Sequence, residues 1–175
     1  MTNSYVTAAR KQAQKLIEQF GVKSAPVPVE RIAKELGIRV QYAPFDGDLS
    51  GMAFVKDGMP IAGVNSLHHP NRQRFTLAHE VGHILLHRKL IESEVHIDKG
   101  SLRRDTLASA GVDPLEIAAN AFASEFLMPE QLLESVLAGR SIDLEDDDLI
   151  AGLAKRFKVS EAAMRFRLQL ALTPA

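Results

Sequence analysis

The chain has 175 residues, 46% of them hydrophobic, which suffices for one compact domain with its own core. It carries 21 Lys and Arg against 22 Asp and Glu, so no overall electrostatic field favours nucleic acid or an anionic membrane. No cysteine occurs, which excludes disulfides, thiol nucleophiles and sulfur-ligated zinc. No stretch approaches the roughly 20 apolar residues of a membrane span, and the N-terminus lacks an apolar signal region. We therefore expect a soluble, cytoplasmic protein.

The N-terminal part of the sequence predicts two helices followed by a strand. Apolar residues with a period of 3.6 predict a helix over residues 5–20. A shorter helix ends at Gly37, and the β-branched run 38–42 after it is typical of a strand.

The next segment has the pattern of a β-hairpin. Predicted strands over residues 49–55 and 60–64 flank Asp57-Gly58, a pair that suits a two-residue turn. Pro60 cannot donate to a strand ladder, so we expect the hairpin at or near a sheet edge.

The remainder of the chain is mainly helical. We predict a helix over Asn71–His87, loop or frayed helix over 91–111, and four further helices over 113–127, 129–138, 146–157 and 160–172. This order predicts an α+β fold in which a small antiparallel sheet packs against several helices. We expect residues 1–175 to form a single domain that includes the two C-terminal helices, about 146–172.

The stretch Thr76–His87 reads TLAHEVGHILLH and places His79 and His83 four residues apart, with Glu80 directly after the first histidine. Side chains at i and i+4 of a helix stack one turn apart, so both imidazoles can reach one ion about 2.0–2.1 Å from each nitrogen. Glu80 is offset by about 100° around the helix, so its carboxylate can reach a water beside the metal. That is the position of a general base, and the pattern predicts a metal-dependent hydrolase.

A purely structural reading treats these histidines as hydrogen-bonded core residues. It must explain why three ionisable side chains lie in an apolar run, where unpaired polar groups are costly. His87 extends the same face, but it lies about 12 Å from His79 along the axis, too far for one tetrahedral ion. A longer motif with a third histidine fails, because Leu86 and Lys89 stand at its glycine and histidine positions. We expect His87 to support a ligand histidine or to pack at the helix end.

The third ligand is sought downstream, in the helix that Asp113 and Pro114 begin. Glu116 lies in its first turn, where it either binds the metal or stabilises the helix dipole. Asn120 is one turn further on the same face and either orients a ligand histidine or makes a core hydrogen bond. Glu125 falls on the opposite face, and we expect it to be a solvated surface charge.

These residues resemble the ImmA/IrrE family of bacterial and phage metallopeptidases. RFTLAHEVGHILLH, and about thirty residues later EIAANAFASEFLMP, are similar to the family pattern of H-E-x-x-H followed by E-x-x-A-N-x-F-A-x-x-L-L-M-P. VPVERIAKELGI, SGMAF, Asn65 and LAKRFKVSEAAMRFRL extend the likeness over residues 27–172, and Phe126 stands where leucine is usual. Larger relatives add a DNA-binding or sensor domain, for which we see no room in this chain.

The resemblance implies a zincin-like fold with H-E-x-x-H on a central helix. It implies zinc bound by His79, His83 and Glu116, and Glu80 as the catalytic glutamate. Manganese or iron would use similar donors. The implied substrate is a helix-turn-helix repressor that is cleaved to relieve repression. Some short relatives pair with an Xre-like antitoxin, so a toxin role stays open.

The sequence leaves two further elements of a peptidase undecided. An oxyanion donor is needed, and His96 or Tyr42 are the candidates, with an ordinary loop histidine as the alternative for His96. A peptide substrate is expected to add as a strand beside the hairpin Gly51 to Asn65, because main-chain hydrogen bonds fix an extended chain.

Two other classes of function compete with a peptidase. Residues 148–170 contain two helices with several basic side chains, which could read DNA as a helix-turn-helix, but their turn lacks the usual glycine. We expect a solvated basic face there and no nucleic-acid partner. The second alternative is a metal-stabilised interaction protein without turnover. The function of such a protein would persist after removal of the Glu80 carboxylate.

Overall fold

The computed structural model describes residues 2–98 and 113–172. Over these ranges it contains eight helices and four strands, in the order α1 (Thr2–Gln19), α2 (Val29–Glu35), β1 (Arg39–Ala43), β2 (Gly51–Lys56), β3 (Met59–Asn65), α3 (Pro70–Leu86), α4 (Arg88–Ile91), β4 (His96–Asp98), α5 (Pro114–Leu127), α6 (Glu130–Leu137), α7 (Asp147–Phe157) and α8 (Glu161–Leu172). The α+β prediction is confirmed. No helix in these ranges is long and apolar enough to cross a membrane.

The four strands form one mixed sheet in the order β1-β3-β2-β4. β2 pairs antiparallel with β3 and with β4, whereas β1 pairs parallel with β3. The sequence analysis predicted an antiparallel sheet, and the parallel pairing of β1 with β3 corrects that prediction. Strand direction depends on the path of residues 44–50, which carry the chain from β1 across to β2, and that path leaves no periodic signal in the sequence.

The hairpin of β2 and β3 has the predicted turn and lies in the interior of the sheet. Asp57 and Gly58 both have positive φ, 51° and 76°, as a two-residue turn of this hand requires. β2 and β3 are the two inner strands of the four, so the hairpin lies near the sheet edges, as predicted, but forms neither of them. Pro60 is tolerated because the β1 ladder begins only at Ile61.

Helix α3 lies between the sheet and α5, and α1 packs on the far side of α5. The α3 segment from Thr76 to Ile84 is buried throughout. Gly82 permits the close approach of α5, since a Cβ there would lie 3.0 Å from the Phe122 ring and 3.4 Å from the Ala119 Cα. The helix that carries H-E-x-x-H is thus central, as predicted.

Glu125 is buried, which corrects the prediction that it is a surface charge. Its Oε2 is 2.5 Å from Arg167 Nη2, and Arg167 Nε donates to the Met128 carbonyl. Its Oε1 accepts from the Glu130 amide at 3.1 Å. The helical wheel correctly placed this side chain opposite Glu116, but α8 and α1 cover that face instead of solvent. This buried ion pair ties α8 to α5.

The polar stretch 91–111 is only partly described. The structure shows β4 in it, where we expected loop or frayed helix, and α4 ends at its first residue, Ile91. Residues 99–111 lie outside the described residues. A strand of three residues is too short to produce a detectable alternation.

Candidate metal centre

Helix α3 brings His79 and His83 together at one point in the core. Both side chains are buried, and their Nε2 atoms are 3.0 Å apart. Burial lowers the pKa of His83, and this favours the neutral imidazole that metal coordination requires.

Helix α5 presents Glu116 to this pair. The Asp113 side chain caps the helix by accepting from the Leu115 amide, so the first turn is fixed in place. Glu116 Oε2 lies 3.4 Å from His79 Nε2, and Oε1 lies 3.2 Å from His83 Nε2. Burial alone would raise the pKa of Glu116, but the hydrogen bonds and charges of the two histidines lower it well below its ordinary value. The result is an ionised carboxylate beside two imidazoles.

Strand β4 adds His96 to the same cluster. Its Nε2 lies 3.2 Å from Glu116 Oε1, and its ring centroid is 3.7 Å from that of His83. The His96 Nε2 atom is buried, and its contact with Glu116 Oε1 is short but does not have the geometry of a hydrogen bond. Burial and the neighbouring His83 lower the pKa of His96 to about 4, so the ring is neutral at physiological pH.

The four side chains form a donor set that fits a divalent metal. One ligand atom from each of His79, His83, His96 and Glu116 lies within 4.8 Å of all the others. Ligands about 2.0–2.1 Å from a tetrahedral zinc are about 3.3 Å from one another. The two α3 imidazole nitrogens, and the contacts of the three imidazoles with the Glu116 oxygens, have separations of 3.0 to 3.4 Å. Neutral imidazoles and a carboxylate are the donors that zinc, manganese and iron share.

Two side chains contact the Nδ1 atoms of the α3 histidines, on the side of each ring away from the cluster. Asn120 Oδ1 lies 3.1 Å from His79 Nδ1. Since an amide oxygen only accepts, the ring proton belongs on Nδ1, and Nε2 offers its lone pair to the centre. His87 Nδ1 is 3.2 Å from His83 Nδ1, so one ring donates to the other. His87 thus contacts a cluster histidine, while its own position at the end of α3 keeps it out of the donor set.

Glu80 lies beside the cluster in an unusual environment. Its side chain is fully buried, and neither carboxylate oxygen has a hydrogen-bond partner among the described residues. Burial, with added repulsion from Asp98 and Glu116, raises its pKa well above the ordinary value. A carboxyl group whose pKa is raised in this way binds a proton more readily, which suits a group that takes up and passes on protons.

Gly51 of β2 makes room for the Glu80 carboxylate. A Cβ at position 51 would lie 2.7 Å from Glu80 Oε1 and 2.5 Å from Thr76 Cγ2, so only glycine fits without a shift. The hairpin Gly51 to Asn65 therefore borders the cluster through the start of β2. Neither this contact nor the position of Asp98 was predicted from the sequence, because both depend on how β2 and β4 lie over α3.

The remaining predicted residues have other contacts. Tyr42 donates to Glu30 Oε2 at 2.9 Å from β1, the sheet edge opposite to β4. Asn65 holds the loop 44–50 through hydrogen bonds to the carbonyl groups of Phe45 and Leu49. Of the two candidates for an oxyanion donor, His96 lies in the cluster and Tyr42 does not.

The fold and this cluster define a zincin-like protein: an α+β domain whose central helix supplies two histidines and a glutamate, with a carboxylate from a second helix. A model of the IrrE N-terminal-like domain matches residues 33–169. The chain therefore belongs to the IrrE-like metalloprotease family.

Two individual proteins are similar to this chain. The chain is 34% identical over 111 residues to the radiation response metalloprotease IrrE of Deinococcus radiodurans. The matched segment covers 60% of this chain and 29% of that protein. A solved structure titled Mycobacterium tuberculosis transcriptional regulator matches with a TM-score of 0.61 at 19% identity, covering 98% of this chain and 49% of that chain. This chain thus spans about half or less of either relative, and the second likeness concerns the fold alone.

Proposed function

We propose that the protein is a metal-dependent endopeptidase, with His79, His83 and Glu116 as metal ligands and Glu80 as the general base. The observation that carries the proposal is the pairing of two features: a donor cluster with zinc-like spacing, and a buried carboxyl group directly beside it that has no hydrogen-bond partner in the described part of the chain. A structural core histidine pair would not need that second group. Zinc is the metal we favour, and manganese or iron would be held by the same atoms.

When bound, a divalent metal would polarise a peptide carbonyl and lower the pKa of water toward about 7. Glu80 takes the proton of the attacking water and passes it to the leaving amine. Its raised pKa fits this double role, because the group must hold a proton between the two steps. Asn120 and His87 keep the α3 imidazoles in orientation. His96 is the remaining group at the cluster that could stabilise an oxyanion.

The proposed substrate is a helix-turn-helix repressor of the Xre or ImmR type, which the family resemblance suggests. An extended segment of it would add to the sheet beside β2, the strand that borders Glu80. Cleavage would then relieve repression.

The test is incubation of the metal-loaded protein with the repressor or antitoxin encoded beside its gene, with intact mass measured over time. We expect two complementary fragments from one bond, and no fragments after the metal is removed with a chelator. A repressor that stays intact while its complex with this protein forms would support the alternative instead, a metal-stabilised interaction protein such as the toxin partner of an Xre-like antitoxin.

A DNA-binding module at residues 148–170 is not part of the proposal. Arg167 is buried against Glu125, and Arg165 pairs with Asp147 at 2.8 Å and donates to the Leu144 carbonyl. Two of the basic side chains that would read DNA are therefore engaged within the protein.

A further inference from the structure

Strand β4 lies where a peptide substrate would be expected. It pairs antiparallel with β2 at the edge next to Glu80, with Gly51 opposite Asp98 and Ala53 opposite His96. An extended substrate fixed by main-chain hydrogen bonds would need this same edge. The site that we propose as catalytic is thus covered by a strand of the protein itself.

The side chains of β4 point alternately toward the metal cluster and away from it, as those of a bound extended peptide would. His96 faces the metal cluster, and Asp98 lies close enough to His79 and Glu80 to form a second group of candidate ligands. Ile97, between them, is half exposed, and Val95, directly before β4, is 55% exposed. Since β4 buries little apolar surface, the polar contacts of its inner face and the ladder with β2 hold it in place.

We propose that β4 is a resident pseudosubstrate: His96 Nε2 is a fourth protein ligand of the metal centre, and β4 occupies the β2 edge until a substrate strand displaces it. This inference rests on the proposed metal centre and adds a latent state to it. With three imidazoles and a carboxylate, the metal would have a full tetrahedral set and no open position for water, as in structural zinc sites.

Displacement has a starting point on β2. On the side of β2 that faces β4, the ladder ends at Ala53. The described residues of β4 do not pair with Phe54 to Lys56 on that side. An incoming strand can pair there first and extend toward Gly51, exchanging the three-residue ladder of β4 for its own. Strands held by so few contacts open at low cost compared with global unfolding.

A different role for His96, as an oxyanion donor, makes an opposite prediction about the metal. If His96 donates only to the substrate, the metal has no fourth protein ligand in the resting protein. Removal of the His96 imidazole would then leave the metal affinity unchanged. The two roles can therefore be separated without any measurement of activity.

The first experiment titrates Co(II) and Zn(II) into wild type, His96→Ala, His79→Ala and the matched control Ile97→Ala. We expect His96→Ala to lose zinc affinity by about tenfold or more, since even loss of a residue that only supports a ligand costs about 10–100-fold. In the cobalt protein, acetohydroxamate should change the visible spectrum of His96→Ala and leave wild type and Ile97→Ala unchanged.

A loss of less than about tenfold in His96→Ala, or a wild-type cobalt spectrum that responds to acetohydroxamate, would overturn the inference. His79→Ala tells the two proposals apart. If it also keeps full affinity, the metal centre itself is wrong. If it loses the metal and His96→Ala does not, only the pseudosubstrate is wrong.

The second experiment releases β4 with His96 intact. Ile97→Pro removes a backbone donor and disfavours the ladder, whereas Ile97→Ala keeps the backbone unchanged. We expect Ile97→Pro to match the reduced zinc affinity of His96→Ala, and its cobalt protein to bind acetohydroxamate. Circular dichroism should confirm the fold, since the strand is short and at an edge. Wild-type affinity and spectrum in a folded Ile97→Pro protein would contradict the proposal.

Discussion

Gly51→Ala tests whether the start of β2 sets the position of the Glu80 carboxylate. The added Cβ would meet Thr76 Cγ2 at 2.5 Å, Glu80 Oε1 at 2.7 Å and the Gly63 carbonyl oxygen at 3.0 Å. Ordinary contacts of a Cβ lie at 3.4–4 Å. The strand cannot retreat freely, because Gly51 is paired with Val64 on one side and Asp98 on the other. Both α3 side chains must therefore shift by roughly 1 Å.

The expected cost follows from that displacement. Overpacking of a buried site destabilises by about 1–3 kcal/mol. A catalytic group that is misplaced by about 1 Å loses up to about 10²-fold in rate. We therefore expect Gly51→Ala to reduce cleavage more than its stability loss explains, with zinc affinity near wild type because the cluster histidines are not touched.

Urea unfolding, zinc titration and the rate of repressor cleavage measure the three effects. Gly152→Ala is the matched control: this glycine is exposed on α7 with nothing within 4 Å of a Cβ, so alanine should stabilise by about 0.5–1 kcal/mol. In Gly51→Ala, the second change Thr76→Ser removes one clash and should recover part of the stability. A Gly51→Ala protein with wild-type stability and cleavage would refute the close packing of β2 on Glu80.

Three further predictions concern the ligands, the buried base and the buried ion pair. Glu116→Ala should weaken zinc binding while the far-ultraviolet circular dichroism stays unchanged; full metal affinity would mean that the third ligand is another residue. Because burial raises the pKa of Glu80, metal-free wild type should lose stability as the pH rises from about 4.5 through that raised pKa, by at most about 1.4 kcal/mol per pH unit. Metal-free Glu80→Gln should lack that loss, and parallel pH-stability curves for the two proteins would rule out the raised pKa. Arg167→Ala should cost about 3–5 kcal/mol in urea unfolding by leaving Glu125 buried and unpaired, and more than the double change Arg167→Leu with Glu125→Leu; equal losses would mean that the pair is not coupled.

The sequence predicted most elements because their signals are local. The helices carry apolar periodicity and end signals such as Gly37 and Pro129, and the Asp57-Gly58 turn is a two-residue signal. Helix spacing predicted that His79 and His83 share a face of one helix, and that Glu116 and Asn120 share a face of another. That these two faces meet is a tertiary property, which only the family resemblance implied.

The features that were missed depend on contacts between distant segments. Strand order cannot be seen in the hydrophobic pattern, so the parallel pairing of β1 with β3 was not foreseen. Glu125 was placed on the correct helix face, but which element covers that face is a tertiary property. β4 is short, and only its pairing with β2 brings His96 and Asp98 over α3. The roles proposed for the cluster residues remain predictions for the experiments described above.

The most direct test of the account is Glu80→Gln, measured for zinc content and repressor cleavage in the same preparation. The amide keeps the volume of the side chain but cannot take a proton from the attacking water, while His79, His83 and Glu116 still hold the metal. Zinc content should stay near wild type, and cleavage should fall by about 10²–10⁴-fold or more. A Glu80→Gln protein that binds zinc and still cleaves the repressor at the wild-type rate would contradict the central claim.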